Sequence, residues 1–349
     1  MPFNIWDQAV LTELVNRDIQ TAWEQQPSLA RMIAPLFDVQ DREIRLDTVE
    51  IHSFGKGQFK APDGTPGLYT PTLRVTEETT ELALLEEMTV INESLWHKLQ
   101  SQDMHVRRAA GVDVLTRAKI LQLRNERLTD WMFWQAVQGQ LTLTFPDTQD
   151  TIVYTYPIPS GNKPTTSVSW ADLTNADPIS DLRAWQLLTG NQVGYYGTQV
   201  HMNSNTWALL QFNLKVRAYL GQYNRDVMLP EMADIQRLLW ANTSFYIYDG
   251  GLRDVSAHTS RGFSSVTKFI QDGYVFITTP YVIDGDPIAD IADGLVAIST
   301  GYNELALMQG TQSEVIVDHR SKAHYWRQAS ARIPRIRRPG AFVWAKVIP

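Results

Sequence analysis

The order of residues predicts an α+β chain made of an extended amino-terminal arm, a long two-stranded hairpin, one long helix and a mixed helix-and-strand domain. Three observations carry this. Gly55, Gly57, Gly64 and Gly67 with Pro62 and Pro66 separate two alternating apolar runs, near residues 48–52 and 69–75, as a hairpin requires. From Val114 to Ala136 apolar residues advance by threes and fours, the period of one helix face. Beyond residue 177 helical and alternating segments follow one another closely, which defines an α+β domain. A two-stranded hairpin is marginal in water unless something covers its apolar face, so the chain is expected to associate.

In order along the chain, Val10, Leu11, Leu14, Val15, Ile19, Ala22 and Trp23 form one apolar stripe of a helix, which Pro27 and Pro35 interrupt. Val49 and Ile51 alternate with Thr48, Glu50 and His52 in the first hairpin strand, Asp63-Gly64 is a turn dipeptide, and Tyr69, Leu73 and Val75 resume the alternation. Glu77, Glu78, Glu81, Glu86, Glu87 and Glu93 crowd the next segment, a density typical of a solvated face. The stripe Val114, Ala118, Leu121, Asn125, Leu128, Met132, Ala136 belongs to a helix spanning residues 105–138, about nine turns long. It ends in Trp131, Phe133 and Trp134, aromatic anchors of a core or an interface, and stops at Gly139.

Strands are expected at 141–145 and 152–156, and the polar run containing Pro157, Pro159, Gly161 and Pro164 reads as a domain boundary. Asp177-Pro178 opens a helix over 179–188, with Asp as N-cap and Pro in the first turn, where its missing N–H costs nothing. A strand (197–202), a helix (206–220), a short helix (231–240) and strands at 244–248, 266–270 and 274–278 follow; the end turns basic and then β-rich at Phe342, Val343, Trp344 and Val347.

Composition narrows the function. The 349 residues suffice for about two domains at roughly 100–200 residues each, and 44% hydrophobic content, near the globular average of about 45–50%, implies a sizeable core. A net charge of −7 argues against a surface-wide binder of nucleic acid or anionic membrane, which needs many Lys and Arg facing phosphate. The absence of cysteine excludes a disulfide frame, a thiolate nucleophile and a Cys-ligated metal, and fits a reducing compartment. The opening MPFNIWDQAV has no basic-then-apolar leader, and no apolar run reaches about 18 residues. A cytoplasmic protein without a membrane segment is expected.

Catalytic patterns are missing. His52, His97, His105, His201, His258, His319 and His324 include no H-E-x-x-H and no i, i+4 pair, so no catalytic metal, cofactor or catalytic residue is expected. Asp318-His319 near His324, and Asp284-Gly285-Asp286, come without a nucleophile in a recognisable turn and read as a solvated strand end and a turn. Gly55-Lys56-Gly57 lacks the helix that a phosphate loop needs and reads as hairpin flexibility.

Three stretches resemble the tailed-phage major capsid protein family of the lambda type. They are RAKILQLRNERLTDWMFWQAVQG with its LTLTF strand, the run DPISDLRAWQLLTGNQVGYYGTQVHMNSNTWALLQFNLKVRAYL, and the closing SARIPRIRRPGAFVWAKVIP. The resemblance implies a Hong Kong 97-like capsid fold: N-arm at 1–46, E-loop hairpin at 47–76, P-domain at 77–176 around a spine helix at 105–138, A-domain at 177–310, and a return to the P-domain at 311–349. It implies a structural protein that assembles as hexamers and pentamers into the icosahedral head shell around phage DNA. Expected partners are a separate scaffolding protein, since the arm has no long charged prodomain, with a portal, a decoration protein and double-stranded DNA held non-specifically. The virion is the implied location, after assembly in the host cytoplasm. An encapsulin-like nanocompartment around protein cargo and an α+β enzyme are the alternatives.

The residues expected between subunits are Lys56, Pro62, Asp63, Gly64 and Pro66 at the hairpin tip, and Glu81, Glu86 and Glu87 facing Arg335, Arg337 and Arg338. The two charged segments, the basic one including Arg332, are read as complementary patches.

Overall fold

Capping residues and glycines mark several of the observed element ends. A computed structural model describes residues 28–40, 43–45, 48–51, 73–76, 79–144, 151–221, 229–240, 242–253, 266–299, 305–318 and 323–349. The expected helix at 5–23 and the hairpin tip lie outside them.

The first part of the chain runs through α1 (Leu29–Ile33), β1 (Leu36–Asp38), β2 (Glu43–Arg45), β3 (Thr48–Ile51), β4 (Leu73–Thr76), β5 (Thr79–Glu81) and β6 (Ala83–Ile91). Next come α2 (Glu93–Leu99), α3 (Met104–Val137), β7 (Gln140–Thr144) and β8 (Thr151–Thr155). The middle holds α4 (Pro178–Val193), β9 (Gln199–Met202), α5 (Ser204–Phe212), α6 (Leu214–Gly221), α7 (Met232–Leu238), β10 (Ser244–Ile247), β11 (Gly251–Arg253), β12 (Val266–Lys268) and β13 (Tyr274–Thr278). The last part is β14 (Val282–Ile283), β15 (Asp286–Pro287), β16 (Ala289–Asp293), β17 (Leu295–Ser299), β18 (Leu305–Gln309), β19 (Gln312–Asp318), β20 (Ala323–Ile336) and β21 (Phe342–Lys346).

The chain divides into two units, the first made of Met1–Ile44, Thr79–Phe133 and Asp290–Pro334, the second of Arg45–Glu78, Trp134–Ala289 and Arg335–Pro349. In the first, a five-stranded sheet runs β1-β16-β20-β19, with β6 also on β20. The β6–β20 ladder is antiparallel from Ala83↔Arg332 to Ile91↔His324. Glu86 and Glu87 of the acidic segment therefore lie on a strand, Glu86 on one face and Glu87 on the other, as period-two geometry demands. α2 and α3 cover one face of this sheet through Leu95, Leu99, Ala110, Val114, Ala118 and Leu121, packed with Ile91 and Trp326. β17 lays Val296 and Ile298 on Ala329 and Ala331.

α3 matches the expected 105–138 within one residue at each end. Asp103 accepts from the His105 N–H at 2.8 Å, and Gly139 ends the helix at φ +94, where a side chain would be strained.

The second unit is built on the sheet β10-β9-β13-β21. β9 and β10 are parallel, while β13 lies antiparallel to both β9 and β21. One face carries Val200, Met202, Val275, Ile277, Val343 and Ala345 into a core shared with Trp170, Leu182, Trp185 and Trp207. α4 has the expected cap, Asp177 accepting from the Ser180 N–H at 3.2 Å, with Pro178 in the first turn. It outruns the expected 179–188 because Gly190 stays helical, its bare Cα facing the Tyr196 ring, and the left-handed Gly194 supplies the stop.

Two other readings are corrected. The helix expected over 206–220 breaks in two at Asn213, whose Oδ1 accepts from the N–H groups of Lys215 (2.9 Å) and Val216 (3.1 Å) and so starts a second helix. The run at 157–164 is no boundary: Pro164 accepts from the Lys346 N–H at 2.9 Å, and the Asn162 amide donates to Phe342 O at 2.8 Å. Residues 134–176 and 335–349 join the second unit, where β21 ladders with β13, and 290–310 join the first through β16.

Candidate inter-subunit site

β3 and β4 pair in register, Thr48↔Thr76 to Ile51↔Leu73, and form a two-stranded sheet of their own among the described residues. The base of the expected hairpin is thus in place. Lys56, Pro62, Asp63, Gly64 and Pro66 lie outside the described residues.

The acidic residues are held by cross-strand and helix neighbours. Glu81 ends β5, which pairs with β2. Arg327 on β20 donates through Nε to Glu86 Oε1 (2.6 Å) and through Nη2 to Glu86 Oε2 (2.8 Å), a bidentate pair. Its Nη1 also meets Glu314 of β19. These carboxylates hold Arg327 firmly charged, its hydrogen bonds to Glu86 being the largest influence. Glu87, on the opposite face, pairs with Arg124 of α3 at 2.7 Å. Burial raises its carboxyl, and Arg124 only partly opposes this.

The basic residues fall into two environments. Arg335, Arg337 and Arg338 are half-buried; Arg338 donates to Ile283 O at 3.2 Å and lies 3.6 Å from Asp284. Asp284 and Gly285, both at positive φ, form the two-residue turn joining β14 and β15, as read from the sequence. Arg332 departs from the expected patch, being only 3% exposed. It donates to Glu126 (2.7 Å), to both oxygens of Asp293 (3.2 Å) and to Thr311 (2.9 Å). Alternation turns it to the α3 side of β20, where a charge persists only if paired.

Glu126 also meets Arg31 of α1. Burial would raise this carboxyl, but the Arg332 and Arg31 guanidiniums override it and hold Glu126 below the ordinary carboxylate range. The sequence reading missed this network. Its sequence signal was two carboxylates four residues apart on α3, Glu126 and Asp130.

The aromatic cluster splits. Trp134 is 1% exposed, with ring centroids 5.2 Å from Phe276 and 6.1 Å from Trp344, whereas Trp131 is half-buried. His324 stacks on Trp96 at 3.9 Å. Among the described residues no acidic or histidine cluster suits a metal ion, and no helix is long and apolar enough to cross a membrane.

Solved structures share this architecture. A phage-related protein from Bordetella bronchiseptica RB50 aligns with a TM-score of 0.56 at 10% identity, over 97% of this chain and 96% of that one. A protein described as the capsid protein of an Escherichia coli CFT073 prophage aligns with a TM-score of 0.56 at 13% identity, over 95% and 98%. No curated protein matches in sequence. The model of phage major capsid protein E matches residues 16–275. The fold is the Hong Kong 97-like capsid fold read from the sequence, and with most of its length inside the family model the chain belongs to the phage major capsid protein E family, the structural proteins of the phage head shell.

Proposed function

We propose that this shell subunit assembles into hexamers and pentamers by reaching across neighbours with the hairpin built on β3 and β4, as the E-loop of a Hong Kong 97-like subunit. The observation that carries the reading is the isolation of that hairpin's base: among the described residues its two strands pair with each other and with no third strand, an arrangement that needs a covering partner. Heterologous contacts of this kind close into rings when the rotation permits. Lys56, Pro62, Asp63, Gly64 and Pro66 are the proposed contact at the tip.

Glu81, Glu86 and Glu87 with Arg335, Arg337 and Arg338 are proposed as a second contact between subunits. The Glu86 and Glu87 side chains stay 32% and 30% exposed beside their internal partners, which leaves part of each carboxylate open to a neighbour's guanidinium. N-arm, E-loop, P-domain and A-domain are the proposed roles of 1–46, 47–76, 77–176 and 177–310. The chain works by packing geometry, without catalysis, in the host cytoplasm. A scaffolding protein, portal, decoration protein and non-specifically held DNA are its proposed partners.

Deleting Lys56 to Pro66 tests the reading. The variant is expected to give a folded subunit that builds no complete shells, followed by sedimentation and electron micrographs. Normal shells from the deleted chain would overturn it.

A further inference from the structure

Among the described residues, five ionisable side chains meet inside the first unit: Arg31 from α1, Glu126 and Asp130 from α3, Asp293 from β16 and Arg332 from β20. Two are guanidiniums and three are carboxyls. A buried cluster tolerates charges only when they are matched, so one carboxyl is surplus. Glu126 takes both guanidiniums and Asp293 takes Arg332. Asp130, 3% exposed, is met instead by the hydroxyl of Ser28, which donates to its Oδ1 at 2.6 Å.

Ser28 is also the N-cap of α1, accepting from the Arg31 N–H at 3.3 Å. A helix of five residues has almost no stability of its own. α1 is held by the burial of Leu29, Ala30 and Ile33, by the Arg31–Glu126 pair and by the Ser28–Asp130 contact.

We infer that Asp130, buried beneath α1 and met there by the Ser28 hydroxyl, is a proton-operated latch: α1 sits on α3 in mild acid while the carboxyl carries a proton, and its hold loosens towards neutrality as the buried carboxyl ionises and calls for water. The Ser28 hydrogen bond favours the ionised form and only narrows the range. The groups facing Asp130 set the working range. Burial pushes its carboxyl up to about 7, against the Ser28 hydrogen bond and the Arg31 guanidinium; Glu126 adds to the rise and Arg332 opposes it. With water admitted, the same carboxyl returns to about 3.9. The hold on α1 is therefore complete below about pH 4 and is lost as pH rises to about 7, beyond which both states are ionised and nothing further changes. Glu126, held ionised by its two guanidiniums, keeps Arg31 throughout.

Backbone hydrogen exchange of the full-length chain, corrected for the intrinsic pH dependence of amide exchange, tests the latch. The reporters are the amides of Met32 and Ala34, bonded within α1 to Ser28 O (3.1 Å) and Ala30 O (2.8 Å); the β19–β20 ladder of the same unit is the reference. Between about pH 5 and about pH 7.5, protection of α1 is expected to fall at least about tenfold and that of the reference far less. Asp130→Asn, neutral at every pH, should flatten the α1 response. Ser28→Ala should lower α1 protection already at about pH 5. Unchanged α1 protection in the wild type, or a fall parallel to the reference, would overturn the proposal, as would a folded D130N that keeps the wild-type response. Should D130N fail to fold, S28A decides: it removes the bond that favours the ionised carboxyl, so the fall of α1 protection with pH should persist or steepen, and a flat response would refute the latch.

Discussion

The two units bury different chemistry beside their sheets. In the first, the space between α3 and β20 is closed by Arg332, Glu126, Asp293 and Arg31, a matched ionic network with Asp130 at its margin. In the second, one face of the sheet carries Phe276, Phe342 and Trp344 against Trp134, with His201 among the rings at 0% exposure. Among the described residues neither His201 nitrogen has a hydrogen-bond partner, nor do the Tyr281 hydroxyl and the Thr278 Oγ1. A network of charges depends on each member keeping its partner; an aromatic face depends on volume and on staying neutral. The units should therefore fail under different substitutions.

The largest effect is expected from Arg332→Ala. It strands Glu126 and Asp293 without their shared cation, and breaking a buried pair costs about 3–5 kcal/mol. Urea unfolding of the unassembled subunit should show the loss, and pairing the change with Asp293→Asn should recover part of it. A cost below about 1 kcal/mol would mean that water reaches the network and that the contrast is false.

Trp134→Ala tests the other side, with an expected loss of about 3–5 kcal/mol from the cavity it leaves. Trp131→Ala, three residues earlier and half-buried, should cost clearly less. Equal losses at the two positions would show that burial in the second unit is not what separates them.

The smallest effect sharpens the contrast through pH. Burial drives the His201 imidazole down to about 3, against an ordinary value of about 6.5. The stability that depends on a neutral ring is whole above about pH 6.5 and drains away as pH falls towards 3, roughly 2 kcal/mol being gone at about pH 5. His201→Leu should remove this acid sensitivity, leaving the opposite trend of Asp130. Thermal unfolding across that range checks it; an unaltered slope in H201L would place the acid response elsewhere.

Much of this fold could be read along the chain because local signals and tertiary packing agree. α3 keeps its stripe and its glycine stop, β13 spans the expected 274–278, and Asp177-Pro178 starts α4. Reading failed where a distant partner decides. Asn213 looks like any polar residue inside a helix until its side chain is seen turning back on the next turn's amides. The glutamates of β6 suggested solvent, but the arginines of α3 and β20 that receive them are remote in sequence. Arg332 sat in a basic run whose other members are half-buried, and only the register of β20 assigns it to the interior. Of the proposed contact residues, the three glutamates and three arginines can be located in the fold, while the tip lies outside the described residues.

The antiparallel ladder from Tyr274↔Lys346 to Thr278↔Phe342 carries a consequence for biogenesis. At about 5–20 residues per second, the roughly 60 residues between these strands take a ribosome about 3–12 s to make. Throughout that interval β13 has an unpaired edge and the rings of Phe276 and Trp134 lack Phe342 and Trp344. An open strand edge beside apolar rings is a template for joining another chain. Many copies of this subunit translated side by side would each pass through the same seconds of exposure, which makes the speed of translation across residues 279–341 a determinant of how much protein reaches the assembly-ready state.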